Sequence, residues 1–164
     1  MVLGAREGQY FKGGWMYTAG QIEDAITERL KSQMPGLREC ASLARFLTAK
    51  GADRDGERLL SPAVYVVYSR GKYSHAWNGV QDREMFFNVV AMVENLRGDV
   101  AARHGEGSET GAYELIEAVR AALSGEQCGL DIDPLAPVSE EAIRGDATMA
   151  MYGITFRTSC RFAI

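Results

Sequence analysis

From Gln81 to Asn95 the chain runs through a long segment in which both alternate sets of side chains are mostly apolar. One set reads Met85, Phe87, Val89, Ala91 and Val93, the other Phe86, Asn88, Val90 and Met92. Because a strand points successive side chains to opposite faces, this pattern requires cover on both sides of a sheet and places the strand in its interior. The segment exceeds the usual strand length of a compact domain, so its polar ends are expected to project beyond the core as part of a hairpin. After Asn95-Leu96-Arg97-Gly98 and a charged loop, a helix is predicted over Gly111–Leu123. It carries Ala112, Leu115, Ile116, Val119, Ala122 and Leu123 on one side and Glu114, Glu117 and Arg120 on the other, and it stops at Gly125. Such a helix should lie across a sheet face.

Thr18 and Gln21 are spaced as a capping box, in which each side chain accepts from the other residue's backbone N–H. They open a helix over Ala19–Met34 whose stripe is Ile22, Ala25, Ile26, Arg29 and Leu30, and Pro35-Gly36 ends it. Between Leu37 and Ala44 the apolar positions fit neither period; a short helix at Ala41–Ala49 is preferred over a strand. Gly51–Arg58, rich in Asp, Arg and Gly, reads as a polar loop. Pro62 opens Ala63–Tyr68, a β-branched and aromatic run suited to an interior strand, with Ser69–Val80 as the connection that follows. Leu135–Ile143 reads as a strand broken by Pro137. Thr148–Phe162 alternates clearly: Ala150, Tyr152, Ile154, Phe156, Cys160 and Phe162 point one way, and Met149, Met151, Thr155, Arg157, Ser159 and Arg161 the other. This predicts an edge or half-exposed strand, paired antiparallel to its neighbour through a turn at Arg144-Gly145-Asp146.

These elements describe an α/β or α+β domain. A chain of 164 residues can support one domain with a substantial core, since folding about 150 residues buries roughly 70% of the extended surface. A single domain is expected over 16–164, preceded by glycine-rich, irregular residues Met1–Trp15 that read as a flexible arm or a start artefact. Neither a signal-peptide pattern nor a bilayer-length apolar stretch is apparent, so export and membrane insertion are not expected. A formal charge of −4 and a pI near 5.3 disfavour polyanion binding, which draws on clustered Lys and Arg. Cys40, Cys128 and Cys160 are odd in number and widely spaced, which fits a reducing cytosol better than a disulfide framework or a zinc site.

Catalytic chemistry finds little support in the residues. His75 and His104 each stand alone, without a second ligand at metal-binding spacing. Asp131 and Asp133 form a D-x-D pair, but Pro134 follows and downstream ligands are missing, so a solvated turn is the reading rather than a calcium loop. Cys128 has no neighbour in sequence that would lower its pKa. Ser61, Ser69 and Ser159 lack a nucleophile-elbow context, and the glycines match no phosphate loop or dinucleotide fingerprint. No cofactor is expected.

Arg70, Lys72, Tyr73, His75 and Trp77 form a basic and aromatic cluster. Such interleaving can stack bases and neutralise phosphates, and it is also a composition found at protein interfaces; the acidic balance of the chain favours a protein contact. Met149 and Met151, opposite the tyrosine-bearing set of their strand, point either to a subunit contact or to a second buried sheet face.

Several short motifs in order carry a family resemblance. They are Ile22-Glu23-Asp24-Ala25-Ile26, Arg29-Leu30-Lys31, Pro35-Gly36-Leu37, the Ala63–Tyr68 strand and Gln81-Asp82-Arg83 leading Phe86-Phe87-Asn88-Val89. Asn95-Leu96-Arg97-Gly98 and Gly111-Ala112-Tyr113 through Leu123-Ser124-Gly125 complete the series. From roughly Ile22 to Phe162 the chain resembles the Mu-type phage and prophage tail protein family, departing in the Met1–Trp15 extension and an insertion-like Ala41–Lys50 segment. The resemblance implies an α+β sandwich like that of tail terminators, a mainly antiparallel sheet with two principal helices packed on it. It further implies a non-enzymatic virion subunit that caps the tail tube, helps join it to the head and acts as a ring, commonly a hexamer. The partners implied are copies of itself, the tail tube protein and head-tail connector proteins. Its place would be the bacterial host cytoplasm during assembly and then the virion tail. A non-catalytic binding or regulatory module of a prophage is the alternative, and a small enzyme a more distant one. On the ring reading, the Arg70–Trp77 loop, the Asn95–His104 segment including Arg97, and the exposed face of Thr148–Phe162 are the expected contacts.

Overall fold

The computed structural model of the chain describes residues 17–42, 60–74, 78–95, 98–105, 110–145 and 148–163. In chain order these form α1 (Ala19–Gln33), β1 (Glu39–Ser42), β2 (Ala63–Tyr73), β3 (Val80–Glu94), α2 (Asp99–His104), α3 (Ala112–Leu123), β4 (Ala136–Gly145) and β5 (Met149–Ala163). The described strands make one sheet in the order β1-β2-β3-β5-β4, antiparallel except where β1 runs parallel to β2. With helices packed on one face, the class is α+β.

The helical face of the sheet is apolar because every second residue of its three central strands is. Val64 and Val66 of β2, Phe87, Val89, Ala91 and Val93 of β3, and Ala150, Ile154 and Phe156 of β5 join one buried cluster. Ile22, Ile26 and Leu30 of α1 and Ala112, Leu115, Ile116, Val119, Ala122 and Leu123 of α3 cover it. Full burial of each large apolar side chain contributes about 1.5–3 kcal/mol. The capping box forms as its spacing predicts: Gln21 N–H donates to Thr18 Oγ1 at 3.1 Å and Thr18 N–H to Gln21 Oε1 at 2.8 Å. The two helices are tied where α3 ends, Arg29 donating to the Ala122 carbonyl at 3.2 Å and pairing with Glu126 at 2.8 Å.

The predicted elements are corrected in several places. Of the two alternatives for β5, the edge does not apply, because it lies between β3 and β4, whereas the half-exposed strand does: one face lies under the helices and the opposite face is partly exposed. The edge is β4, which continues past Pro137 through two bulges, at Val138 and Ile143, instead of breaking. β2 runs on to Tyr73 where a connection was expected, because antiparallel pairing with β3 continues to Tyr73↔Arg83. Ala41 and Ser42 belong to β1, not to a helix at Ala41–Ala49; they pair with Tyr65 and Val66, and the Tyr65 hydroxyl donates to Glu39 at 2.9 Å. The rest of that predicted helix, the Gly51–Arg58 loop and the Met1–Trp15 arm lie outside the described residues. The charged stretch before α3 contains α2, an unpredicted third helix whose Ala102 is buried. Its C-terminal end packs so closely on α3 that a Cβ at Gly111 would meet the backbone of Arg103, His104 and Gly105 at 2.3–2.5 Å.

A further contact pins α1 to the sheet. Between Tyr68 and Arg70 the β2 register slips past Ser69, a β-bulge, and the Tyr68 N–H donates to the Glu23 carboxylate of α1 at 2.9 Å. Replacing Glu23 by Ala is expected to lower stability by about 1–3 kcal/mol, the range for loss of a part-buried bond to a charged group, with Glu23→Gln costing less; urea unfolding measures both. Phe156→Ala, at a fully buried position, should cost about 3–5 kcal/mol in the same assay. Val100→Ala, at 67% exposure, should stay within about 0.5 kcal/mol.

Candidate protein-interaction site

Because the bulge inserts one residue into β2, every β2 side chain beyond it changes face. Arg70 then pairs with Phe86, Lys72 with Glu84 and Tyr73 with Arg83. Arg70 and Lys72 therefore fall on the far face of the sheet, away from the helices, whereas Tyr73 falls on the helical side. What reads in the sequence as one basic and aromatic cluster is divided between two surfaces. Trp77, His75 and Arg97 lie outside the described residues.

On the helical side, Tyr68 reaches across Gly71, where an added Cβ would come within 2.5 Å of its hydroxyl. The Arg83 guanidinium donates to that hydroxyl at 3.1 Å and lies over the rings of Tyr68 and Tyr73. Arg83 is buried, and Tyr73, 56% exposed, forms the rim.

The far face has two halves. Near β1 it is apolar: Ala63, Tyr65, Val90, Met92 and Met151 form a second buried cluster, with Met149 against it. Met151 is 5% exposed, so of the two possibilities raised by the methionines the buried sheet face applies to it; Met149 is half-buried. Toward the β2–β3 turn the same face becomes polar. Phe86 is buried beneath Arg70, whose Cζ lies 4.5 Å from the ring centroid, and Lys72, whose Nζ lies at 5.6 Å. Beside them Arg157 pairs with Glu84 at 3.4 Å and Arg161 with Asp82 at 3.0 Å. Arg70, Lys72, Arg157 and Arg161 are all exposed. A cleft of about 510 Å³ next to this group is lined by Lys72, Glu84, Asp133, Pro134 and Arg157, among others. Its cations and carboxylates alternate, which suits a patterned protein surface more than a polyanion.

Sequence reading found Arg70 and Lys72 but missed Phe86, Glu84, Asp82 and the pairing role of Arg157 and Arg161. Period-two alternation carried part of that signal; the register of β2 against β3 and β5 was needed to bring them together. The Asn95–His104 segment is also divided: Asn95 is buried, its N–H donating to the Thr148 carbonyl at 2.7 Å, while Val100 and His104 are exposed. His104 packs edge-on against Tyr113, and the Tyr152 hydroxyl bonds that of Tyr113 at 3.2 Å, which raises the Tyr152 pKa.

Among the described residues no three His, Cys, Asp or Glu side chains converge as metal ligands. Asp131 and Asp133 lie exposed in an irregular segment, in keeping with a solvated turn, and Asp133 also fastens it to β5: its side chain accepts from the Ser159 hydroxyl and its N–H donates to the Ser159 carbonyl at 2.9 Å. Burial raises the pKa of all three thiols, that of Cys40 to about 11 against the opposing pull of Lys31. They are protonated at neutral pH and poor nucleophiles.

Fold and surface thus define an α+β protein whose exposed charged chemistry is spread over a sheet face. The family model described as "Bacteriophage Mu, Gp37" matches residues 19–161, and the chain belongs to that family. It is a protein of the Mu-like phage kind. No match is found among curated proteins. None of the described helices is long and apolar enough to cross a membrane.

Alkylation by iodoacetamide at pH 8 should be at least about tenfold slower for Cys40 than for glutathione, because a thiol with a pKa near 11 leaves little thiolate at that pH. Peptide mass spectrometry over a time course measures the ratio.

Proposed function

We propose that the chain is a non-catalytic structural subunit of the phage tail, a terminator that caps the tail tube and helps join it to the head. Membership of the Bacteriophage Mu Gp37 family over residues 19–161 is the observation that carries this reading. The far face supports it, because the exposed cations Arg70, Lys72, Arg157 and Arg161, interleaved with the half-buried Glu84, form a surface suited to another protein.

The mechanism is interface replacement. Open helical growth requires that each added layer present the patch that received it. A ring of identical subunits that matches the last tube layer on one side and offers a different surface on the other stops addition without making or breaking a covalent bond. The partners are further copies of the chain, the tail tube protein and the head-tail connector; assembly takes place in the host cytoplasm and the subunit stays in the virion tail.

Light scattering coupled to size exclusion tests this. The expected result is a ring-sized species, either alone or on addition of tail tube protein, together with tubes that stop elongating. A strict monomer beside tubes that keep growing would overturn the terminator reading in favour of a binding module.

A further inference from the structure

We infer that the three-stranded far face carrying Arg70, Lys72, Arg157 and Arg161 seats the acidic outer face of α3 from a second copy of this chain. The inference rests on the ring reading above and specifies which surfaces meet.

Two surfaces of opposite charge lie on opposite sides of the sheet. At the β2–β3 turn end of the far face, β2, β3 and β5 bring four exposed cations against two carboxylates, Asp82 and Glu84, each of which is already paired with an arginine, while Glu94 lies at the opposite end of β3. The surplus is Arg70 and Lys72, for which no carboxylate stands within ion-pair distance among the described residues; both rest on Phe86. Their charged groups lie over the ring, and both residues remain exposed to solvent. Asp133 at the rim reduces the surplus without cancelling it.

On the other side, α3 buries its apolar stripe against β3 and β5 and turns Glu114 and Glu117 outward. Glu117 shares the Arg120 guanidinium with Glu140 of β4, and the hydrogen bonds that Arg120 donates to both carboxylates raise its pKa. Three carboxylates thus face one cation, and Glu114 has no ion-pair partner among the described residues. A surplus of positive charge on one surface matches a surplus of negative charge on the other.

Their placement sets the symmetry. Two surfaces on opposite sides of a sheet layer cannot both engage the same neighbour. The contact is therefore heterologous, the basic face of one copy on the acidic face of the next, which is the kind that closes into a ring when the rotation permits. A nucleic acid is the less suitable occupant, since phosphate binding draws on clustered cations and here carboxylates are interleaved with them.

Charge swapping within one chain tests this, under conditions where the natural chain assembles, with tail tube protein present if required. R70E/K72E and E114K/E117K are each expected to raise the concentration for half-assembly by at least about tenfold, because like charges then meet at the contact. The chain carrying all four changes should recover to within about threefold, since every contact regains opposite charges. Circular dichroism and urea midpoints separate misfolding from lost docking, and R70Q/K72Q, which adds no repulsion, should give a smaller loss in the same direction. Assembly of both double variants at the natural concentration would overturn this docking and leave the ring reading standing. Failure of the fourfold variant to recover while folded would overturn it too. A natural chain that stays monomeric with tube protein would remove the ring reading and this inference together, and duplex DNA binding abolished by R70E/K72E would assign the face to phosphate instead.

Discussion

The pairing of β3 with β5 is the constraint on which the rest of the structure depends. Fifteen residues of each strand run antiparallel in continuous register, from Val80↔Ala163 to Glu94↔Met149. This ladder is longer than the core it crosses. Its middle carries Phe87 and Phe156 directly opposite each other beneath the helices, and its end carries Asp82 against Arg161 in solvent. One pair of strands thereby supplies both the hydrophobic floor on which α1 and α3 pack and a projecting charged sheet.

The bulge at Ser69 converts that projection into a surface with a defined composition. Regular alternation of the same sequence would have kept Arg70 and Lys72 on the side of Tyr68 and turned Tyr73 outward to the far face. With it, the two cations come to lie over Phe86 and join the arginines of β5, while Tyr68 and Tyr73 enclose Arg83 on the other side. Glu23 of α1 accepts the backbone N–H of Tyr68 at this point.

The chain belongs to the Bacteriophage Mu Gp37 family, and under the proposed terminator role such a construction would have a direct use. β4, one of the two edge strands of the described sheet, carries Pro137, two bulges and the acidic pair Glu140 and Glu141, features that oppose edge-to-edge sheet pairing. On the proposed ring reading, contacts with other chains use side-chain surfaces, whose charge pattern differs between the two sides of the sheet. A two-sided subunit is what the proposed interface replacement at the end of a growing tube would require.

Much of the architecture was legible in the sequence. The Thr18 and Gln21 cap, the stripes of α1 and α3, the Ala63–Tyr68 core of β2 and the alternations of β3 and β5 are local patterns, each repeated at the period of its element and each reporting a buried face. α2 was not legible, being six residues long, with a packing partner, Gly111, that becomes apparent only once α3 is in place. Nor was β1, which is four residues long and is a strand because β2 lies beside it. Of the interaction face, Arg70 and Lys72 were visible as charges. Their neighbours were not, because Glu84, Phe86 and Arg157 are joined to them by strand register, a relation between segments that no local period encodes. The sequence by itself determined which elements form and which of their faces seek burial, since both follow from side-chain spacing along the chain. Strand order, the bulge at Ser69 and the sorting of exposed charges between two sides of the sheet were decided by the tertiary structure, because hydrogen-bond register and packing act between residues far apart in the chain.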